Sequence, residues 1–257
     1  MKRTLVALFA LSLLMPAVAL ALDDAAVHEI LVELDKRQKS VSDFKSLVFI
    51  HTKERNKEDT AMEAVIYRRD SGDQFMILLL KPKAERGKGY LQLGKNLWMY
   101  DPAVGNWDRR TERERIAGSD SRRADFDDSR LAEDYTAKFK GEGKLGKFKT
   151  HIIRLSAKDG ADVPYPELEV QVDQATGNVL KQQDIAASGK LMRTVYFPKW
   201  KKIFSPEKKS HVWYPAKIHI FDEVEKDNST RIIMREVDLR KLPANIFTKA
   251  WLESQSR

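Results

Sequence analysis

The chain changes its hydrophobic rhythm at residue 44. Before that point, Ala26, Val27, Ile30, Leu31 and Leu34 recur at helical spacing, while Glu29, Glu33, Asp35 and Lys36 fall on the other side. This predicts an amphipathic helix over 23–39, with Asp23 or Asp24 placed to cap its start. After that point apolar residues alternate with a period of two. Strands are predicted over 44–52, 62–69, 74–80, 89–93 and 96–100, separated by Asn56-Lys57-Glu58-Asp59, Ser71-Gly72-Asp73, Lys81-Pro82-Lys83 and Gly94-Lys95. A second series follows over 148–156, 167–173, 179–185, 190–197, 212–221 and 230–239. Within it, Asp173-Gln174-Ala175-Thr176-Gly177-Asn178 reads as a hairpin turn. Pro243 opens a short terminal helix carrying Ile246, Phe247, Ala250 and Trp251.

Connections this short favour antiparallel neighbours over crossover helices. Ten or eleven such strands cannot stay flat, because strand twist curls a sheet of this width towards a half-barrel. The predicted class is therefore α+β, mainly β: a curved antiparallel sheet forming an incomplete barrel. Helices would cover its concave face, since an open apolar face of that size is not tolerated in water. No linker rich in Pro, Gly or Ser divides the chain, so residues 22–257 are expected to form a single domain.

The first 21 residues have the make-up of a cleavable export signal: Lys2 and Arg3, an apolar run from Leu5 to Leu14, then Ala19-Leu20-Ala21. The run is too short to span a bilayer comfortably. A soluble periplasmic protein is expected, beginning at Leu22 and leaving 236 residues (257 − 21). There is no cysteine, so disulfides play no part in its stability. The formal charge of +8 falls to +6 once Lys2 and Arg3 are removed. An exported chain is a poor candidate for nucleic-acid binding, and attraction to anionic lipid headgroups fits the excess charge better.

Enzyme signatures are absent. There is no Gly-x-Ser-x-Gly elbow, and Arg86-Gly87-Lys88-Gly89 lacks the ending of a phosphate loop. The histidines His28, His51, His151, His211 and His219 lack ligand spacing, and Asp120, Asp125, Asp127 and Asp128 lack the spaced loop of a calcium site. The protein is expected to be neither an enzyme nor the holder of a metal or cofactor. The aspartates are expected to pair with the arginines around them.

The stronger signal is apolar. Leu47, Phe49, Val65, Tyr67, Met76, Leu78, Leu91, Leu93, Trp98 and Tyr100 fall at alternating positions of consecutive strands, and are the candidate lining of a cavity for a flexible acyl chain. After them comes a mixed-charge segment, read as a loop, in which Arg109, Arg110, Arg113 and Arg115 are candidate partner-binding residues.

The order of these features resembles the outer-membrane lipoprotein-sorting proteins, in their divergent LolA-like branch. The resemblance rests on Trp98-Met99-Tyr100-Asp101-Pro102, on Arg115-Ile116 and Asp125-Phe126, and on the strand ending Trp213-Tyr214-Pro215-Ala216-Lys217-Ile218-His219-Ile220-Phe221-Asp222. The acidic run departs from the family's pattern, reading Arg123-Ala124-Asp125-Phe126-Asp127-Asp128-Ser129-Arg130-Leu131 and lacking its aromatic. The resemblance implies an incomplete barrel with a helical lid, receiving lipid or lipoprotein acyl chains for transfer towards the outer membrane. It further implies an inner-membrane transporter of the resistance–nodulation–division type, or an outer-membrane acceptor, as partner. A lid-holding arginine belongs to the family but has no evident position in this sequence. The alternative is a docking module for an inner-membrane lipid exporter with no cargo of its own; a monomer is expected in either case.

Overall fold

The computed structural model describes residues 22–38, 43–93, 96–111, 115–122, 125 and 130–256. The expected export signal lies outside them, as do Arg113 and the stretch 126–129. One antiparallel sheet of thirteen strands contains every strand among the described residues. In chain order these are β1 (Asp43–Lys53), β2 (Thr60–Arg69), β3 (Gln74–Lys81), β4 (Gly89–Leu93), β5 (Asn96–Asp101), β6 (Asn106–Arg110), β7 (Tyr135–Leu145) and β8 (Phe148–Ala157). They continue as β9 (Glu167–Asp173), β10 (Val179–Ile185), β11 (Leu191–Ser205), β12 (Ser210–Asp222) and β13 (Ser229–Asp238). Helix α1 (Asp24–Gln38) precedes the sheet, α2 (Leu131–Asp134) leads into β7, and α3 (Lys249–Gln255) closes the chain.

The strand order is β6-β5-β4-β3-β2-β1-β13-β12-β11-β10-β9-β8-β7. Strands neighbour their sequence partners everywhere except at one seam, where β1 meets β13 from Lys45↔Asp238 to Lys53↔Ser229. Two meanders are thus joined at the middle of the sheet, and β6 and β7 stand at its opposite edges. The order does not close, so the sheet is an open half-barrel rather than a barrel. The segment joining β6 to β7, residues 111–134, must pass from one edge to the other.

Two apolar clusters lie on one face. Val48, Ile50, Ile66, Phe75, Ile77, Leu97, Ile218, Ile220 and Ile232 form the larger, together with Ile116 of the connecting segment. Val27, Leu31 and Leu34 of α1 pack on Ile153, Leu155, Leu168 and Val170 in the other. Asp23 caps α1 as expected, accepting a 2.7 Å bond from the Ala26 amide. A third cluster occupies the opposite, outer face, where Ile246, Phe247 and Leu252 from the C-terminal segment cover Tyr67, Met76, Leu78 and Leu91. Gly89 allows that approach: a Cβ there would stand 2.7 Å from Leu252.

Two strands are additions to the sequence reading. β6 falls where the sequence reads as the start of a loop, because Asn-Trp-Asp-Arg-Arg carries no apolar alternation. β7 alternates only at its start: Tyr135, Ala137 and Phe139 point inward and Thr136, Lys138 and Lys140 outward, but beyond them Gly141 and Gly143 take the places of inward side chains. Both are edge strands, where charged side chains discourage pairing with other chains. The terminal helix begins at Lys249 rather than near Pro243, and Thr248 caps it by accepting a 3.1 Å bond from the Trp251 amide.

A roofed apolar cavity with a buried arginine clasp

A cavity of about 240 Å³ opens on the face that carries the two larger clusters. Its apolar wall comes from the sheet: Phe44 and Ile66 on β1 and β2, Val195 on β11, Ile218 on β12, Met234 on β13, and Leu239. Phe197, Trp200, Ile203, Val212 and Tyr214 extend that wall along the β11–β12 hairpin. Above it lie Arg37 of α1 and Asp125, Arg130 and Leu131 of the connecting segment, which forms the roof.

Roof and sheet are tied by Arg193. Its side chain is only 7% exposed, and every donor finds an acceptor. Nε donates to Asp184 Oδ2 at 2.8 Å, and the two terminal nitrogens reach Asp125 Oδ2 and Oδ1 at 3.0 and 2.8 Å. The first of these nitrogens also donates to the Asp120 carbonyl at 3.1 Å. The second lies 2.7 Å from Asp184 Oδ2. A planar guanidinium matches two carboxylates in this way and an ammonium does not. Asp184 has its other oxygen filled by Gln182 Nε2 at 2.7 Å.

The clasp carries two carboxylates against one cation. Burial pushes the Asp184 carboxyl above its ordinary range, against the pull of Arg193, while the two carboxylates hold Arg193 charged at any accessible pH. A carboxyl whose folded pKa is raised favours the folded form below the unfolded value, and that contribution disappears as pH rises through the folded value. The phenol of Tyr135, buried near Asp184, is likewise held protonated, and its hydroxyl donates to the Tyr165 carbonyl at 2.9 Å. The guanidinium carbons of Arg122 and Arg193 lie 5.1 and 5.4 Å from the Tyr165 ring centre.

Further ties hold the roof. Asp35 of α1, 6% exposed, accepts from the amides of Leu131 and Ala132 at 2.9 and 2.8 Å and so caps α2 from outside its own sequence neighbourhood. Asp120, also buried, accepts from the Thr230 hydroxyl at 3.1 Å. Arg115 stands 3.3 Å from Asp120 and 3.0 Å from Asp222. The expected pairing of aspartates with arginines therefore holds for Asp120, whereas Asp125 pairs with an arginine of the sheet. Asp127 and Asp128 lie outside the described residues. Among the described residues, no cluster of acidic groups and histidines suits a metal ion.

The ten residues expected to line a cavity do share one face, but it is the outer one. Val65, Tyr67, Met76, Leu78, Leu91 and Tyr100 belong to the cluster under the C-terminal segment. Trp98 lies 3.9 Å beneath Lys249 Nζ, Phe49 lies 4.7 Å from the Arg235 guanidinium, and Leu93 is 36% exposed. Leu47 faces the same way, in register with Val65. None of the ten lines the cavity. The physical reason is that β1–β5 carry apolar side chains on both faces, so alternation groups the side chains correctly without showing which group faces inward. Of the four candidate arginines, Arg109 and Arg110 sit on edge strand β6 rather than in a loop, Arg115 is engaged with Asp120 and Asp222, and Arg113 lies outside the described residues.

Arg193 and Asp184 escaped the sequence reading, yet a signal was present. Arg193 shares the inward phase of β11 with Val195 and Phe197, and Asp184 shares that of β10 with Gln182, which Val179 continues across a bulge. A charge in the apolar phase of a strand is costly unless it is paired, so two such charges on adjacent strands point to each other.

An open, curved antiparallel sheet with a helical roof over an apolar cavity is the LolA-like architecture. Solved structures of this fold include a LolA superfamily protein from Nitrosomonas europaea, 20% identical over 87% of this chain and 97% of its own, with a TM-score of 0.71. A putative outer membrane lipoprotein-sorting protein domain from Vibrio parahaemolyticus is 18% identical over 88% of this chain and 97% of its own, at 0.74. A DUF1329 family protein from Desulfovibrio piger is 17% identical over 89% and 98%, at 0.75. A family model described only as "-like: Uncharacterized protein" matches residues 71–254, and the chain belongs to that family. The resemblance to the lipoprotein-sorting proteins thus holds at the level of the fold. No curated protein matches the chain in sequence.

Proposed function

We propose that the protein is a periplasmic carrier or accessory protein that shields the acyl chains of a lipid or lipoprotein in the roofed cavity, for transfer towards the outer membrane. One observation carries this reading: the cavity is walled by apolar side chains of the sheet, and its roof is fastened to that sheet by the polar clasp around Arg193. Each methylene transferred from water contributes about 0.8 kcal/mol, so a chain needs no specific chemistry to be held. The volume of about 240 Å³ falls below the roughly 300–1,000 Å³ usual for ligand sites, so a long chain requires the roof to rise. The Trp, Tyr and Phe side chains along the wall are suited to a flexible chain rather than to a rigid polar ligand. Among the described residues no helix is long and apolar enough to cross a membrane.

The test is direct. Delipidated protein is expected to take up a fluorescent fatty acid, and protein purified from a periplasm is expected to carry lipid visible by native mass spectrometry. Failure of both would end the carrier reading.

A second reading, a docking module for an inner-membrane exporter of the resistance–nodulation–division type, is favoured by the position of Arg109 and Arg110 on an edge strand. The outward backbone groups of β6 have no strand beyond them, and strand addition at such an edge is a common mode of protein recognition. Arg109→Glu with Arg110→Glu should then abolish partner capture while fatty-acid uptake is unchanged. Loss of both together would argue against two separate roles.

A further inference from the structure

The β11–β12 hairpin outruns the sheet it belongs to. β10 pairs with β11 only across Leu191–Tyr196, and β13 pairs with β12 only across Lys217–Phe221. The pairs from Trp200↔Pro215 to Ser205↔Ser210 therefore have no third strand on either side. A free two-stranded ribbon is marginal in water. This one is anchored because Trp200, Ile203, Val212 and Tyr214 wall the cavity and Trp200 Nε1 donates to the Val179 carbonyl at 2.9 Å.

The lysines of the ribbon are exposed and far outnumber its acidic groups. Lys199, Lys201, Lys202, Lys208 and Lys209 all face solvent, and Glu207 is the one carboxylate between residues 199 and 216, a net charge of +4 (5 − 1). Aromatic side chains are set among them. Phe204 is 51% exposed and meets His211 edge-on at 5.6 Å, and Lys202 Nζ lies 4.7 Å above the Trp213 ring.

We propose that this ribbon docks on an anionic lipid bilayer and seats the cavity mouth against the membrane surface. Lysines near an anionic surface strengthen binding by about fivefold each, and aromatic rings with a polar edge favour the zone between headgroups and acyl chains. Lysine stems bury their methylenes there while the ammonium stays with the phosphates. A fluid partner suits this surface better than a folded one, because the charge is spread along the ribbon and not gathered round a pocket. The same strands wall the cavity, so docking places its opening beside acyl chains. The purpose of docking rests on the carrier reading; the docking itself rests on charge and exposure.

Flotation of the purified protein with phosphatidylcholine vesicles, with or without phosphatidylglycerol, tests this. Binding is expected with the anionic vesicles only and should weaken with salt. Lys201→Glu, Lys202→Glu, Lys208→Glu and Lys209→Glu combined should lower it more than a hundredfold, and the matching four-arginine variant should retain it. Phe204→Ser should lower it by about fivefold. All three ribbon variants should still take up fatty acid, which shows that they fold and that the cavity is intact. Equal binding to neutral vesicles, undiminished binding by the glutamate variant, or a preference for duplex DNA over anionic vesicles would overturn the proposal. Vesicle binding without fatty-acid uptake in the unmodified protein would remove the carrier reading and leave docking standing.

Discussion

Replacing Arg193 by methionine is expected to destabilise the protein by about 3–5 kcal/mol, the cost of removing one partner from a buried ion cluster. Methionine keeps much of the volume and none of the charge, so the loss arises from Asp184 and Asp125, which remain buried without their cation. Urea denaturation at neutral pH measures it. The deficit should shrink as pH falls, because the abandoned Asp184 carboxyl, already raised by burial, takes up a proton and ceases to be a buried charge. Adding Asp184→Asn and Asp125→Asn should restore much of the global stability while leaving the roof unfastened. Hydrogen exchange separates the two effects: in the triple variant, amides of the described connecting segment and α2 should lose protection while β1, β2 and β13 keep theirs. Unchanged protection in the roof would mean that Arg193 is a fold determinant only and that the roof is held elsewhere.

Filling the cavity should have the largest effect on cargo. Val195→Phe combined with Met234→Trp places ring atoms where the acyl chain is proposed to lie. Exclusion of only two methylenes costs about 1.6 kcal/mol, more than tenfold in affinity. Overpacking of the wall is expected to cost about 1–3 kcal/mol in stability, so the titration belongs with a melting curve. The informative control lies on the other face. Phe49→Ala and Leu93→Ala, at two positions that sequence alternation proposed for cargo, should leave fatty-acid uptake unchanged. If the outer-face variants lose uptake and the filled cavity retains it, the assignment of faces is wrong.

That pair of experiments turns on what alternation does and does not reveal. The strands with strong apolar phase, from β1 to β5 and from β8 to β13, were legible because each packs on at least one side. Their common antiparallel sheet followed from the short turns; at one of these, Gly177 adopts φ +67° and its amide returns to the Asp173 carbonyl at 2.7 Å. The face was not legible. Tyr67 and Ile66 are adjacent, both buried, and belong to different clusters, because the C-terminal segment makes a second covered surface from residues distant in sequence. β6 carries charge in place of apolar alternation, as edge strands often do, and the alternation of β7 stops after Phe139, where Gly141 and Gly143 replace inward side chains. The clasp was hidden for a similar reason: Asp125, Asp184 and Arg193 come from three places in the chain, and the altered acidic run around Asp125 obscured the residue that matters there.

The seam between β1 and β13 has a consequence for how the chain comes together. Each meander is built from contacts near in sequence, so either can form early and quickly. The pairing that unites them spans almost the whole chain, from Lys45 to Asp238, and loop closure of that length is the slow entropic step of assembly. Until β13 arrives, β1 presents a bare edge along Val48, Ile50 and their neighbours, the kind of surface through which incomplete chains aggregate. Anything that delivers this polypeptide from its N-terminus must therefore keep that edge from other chains until the last strand has emerged.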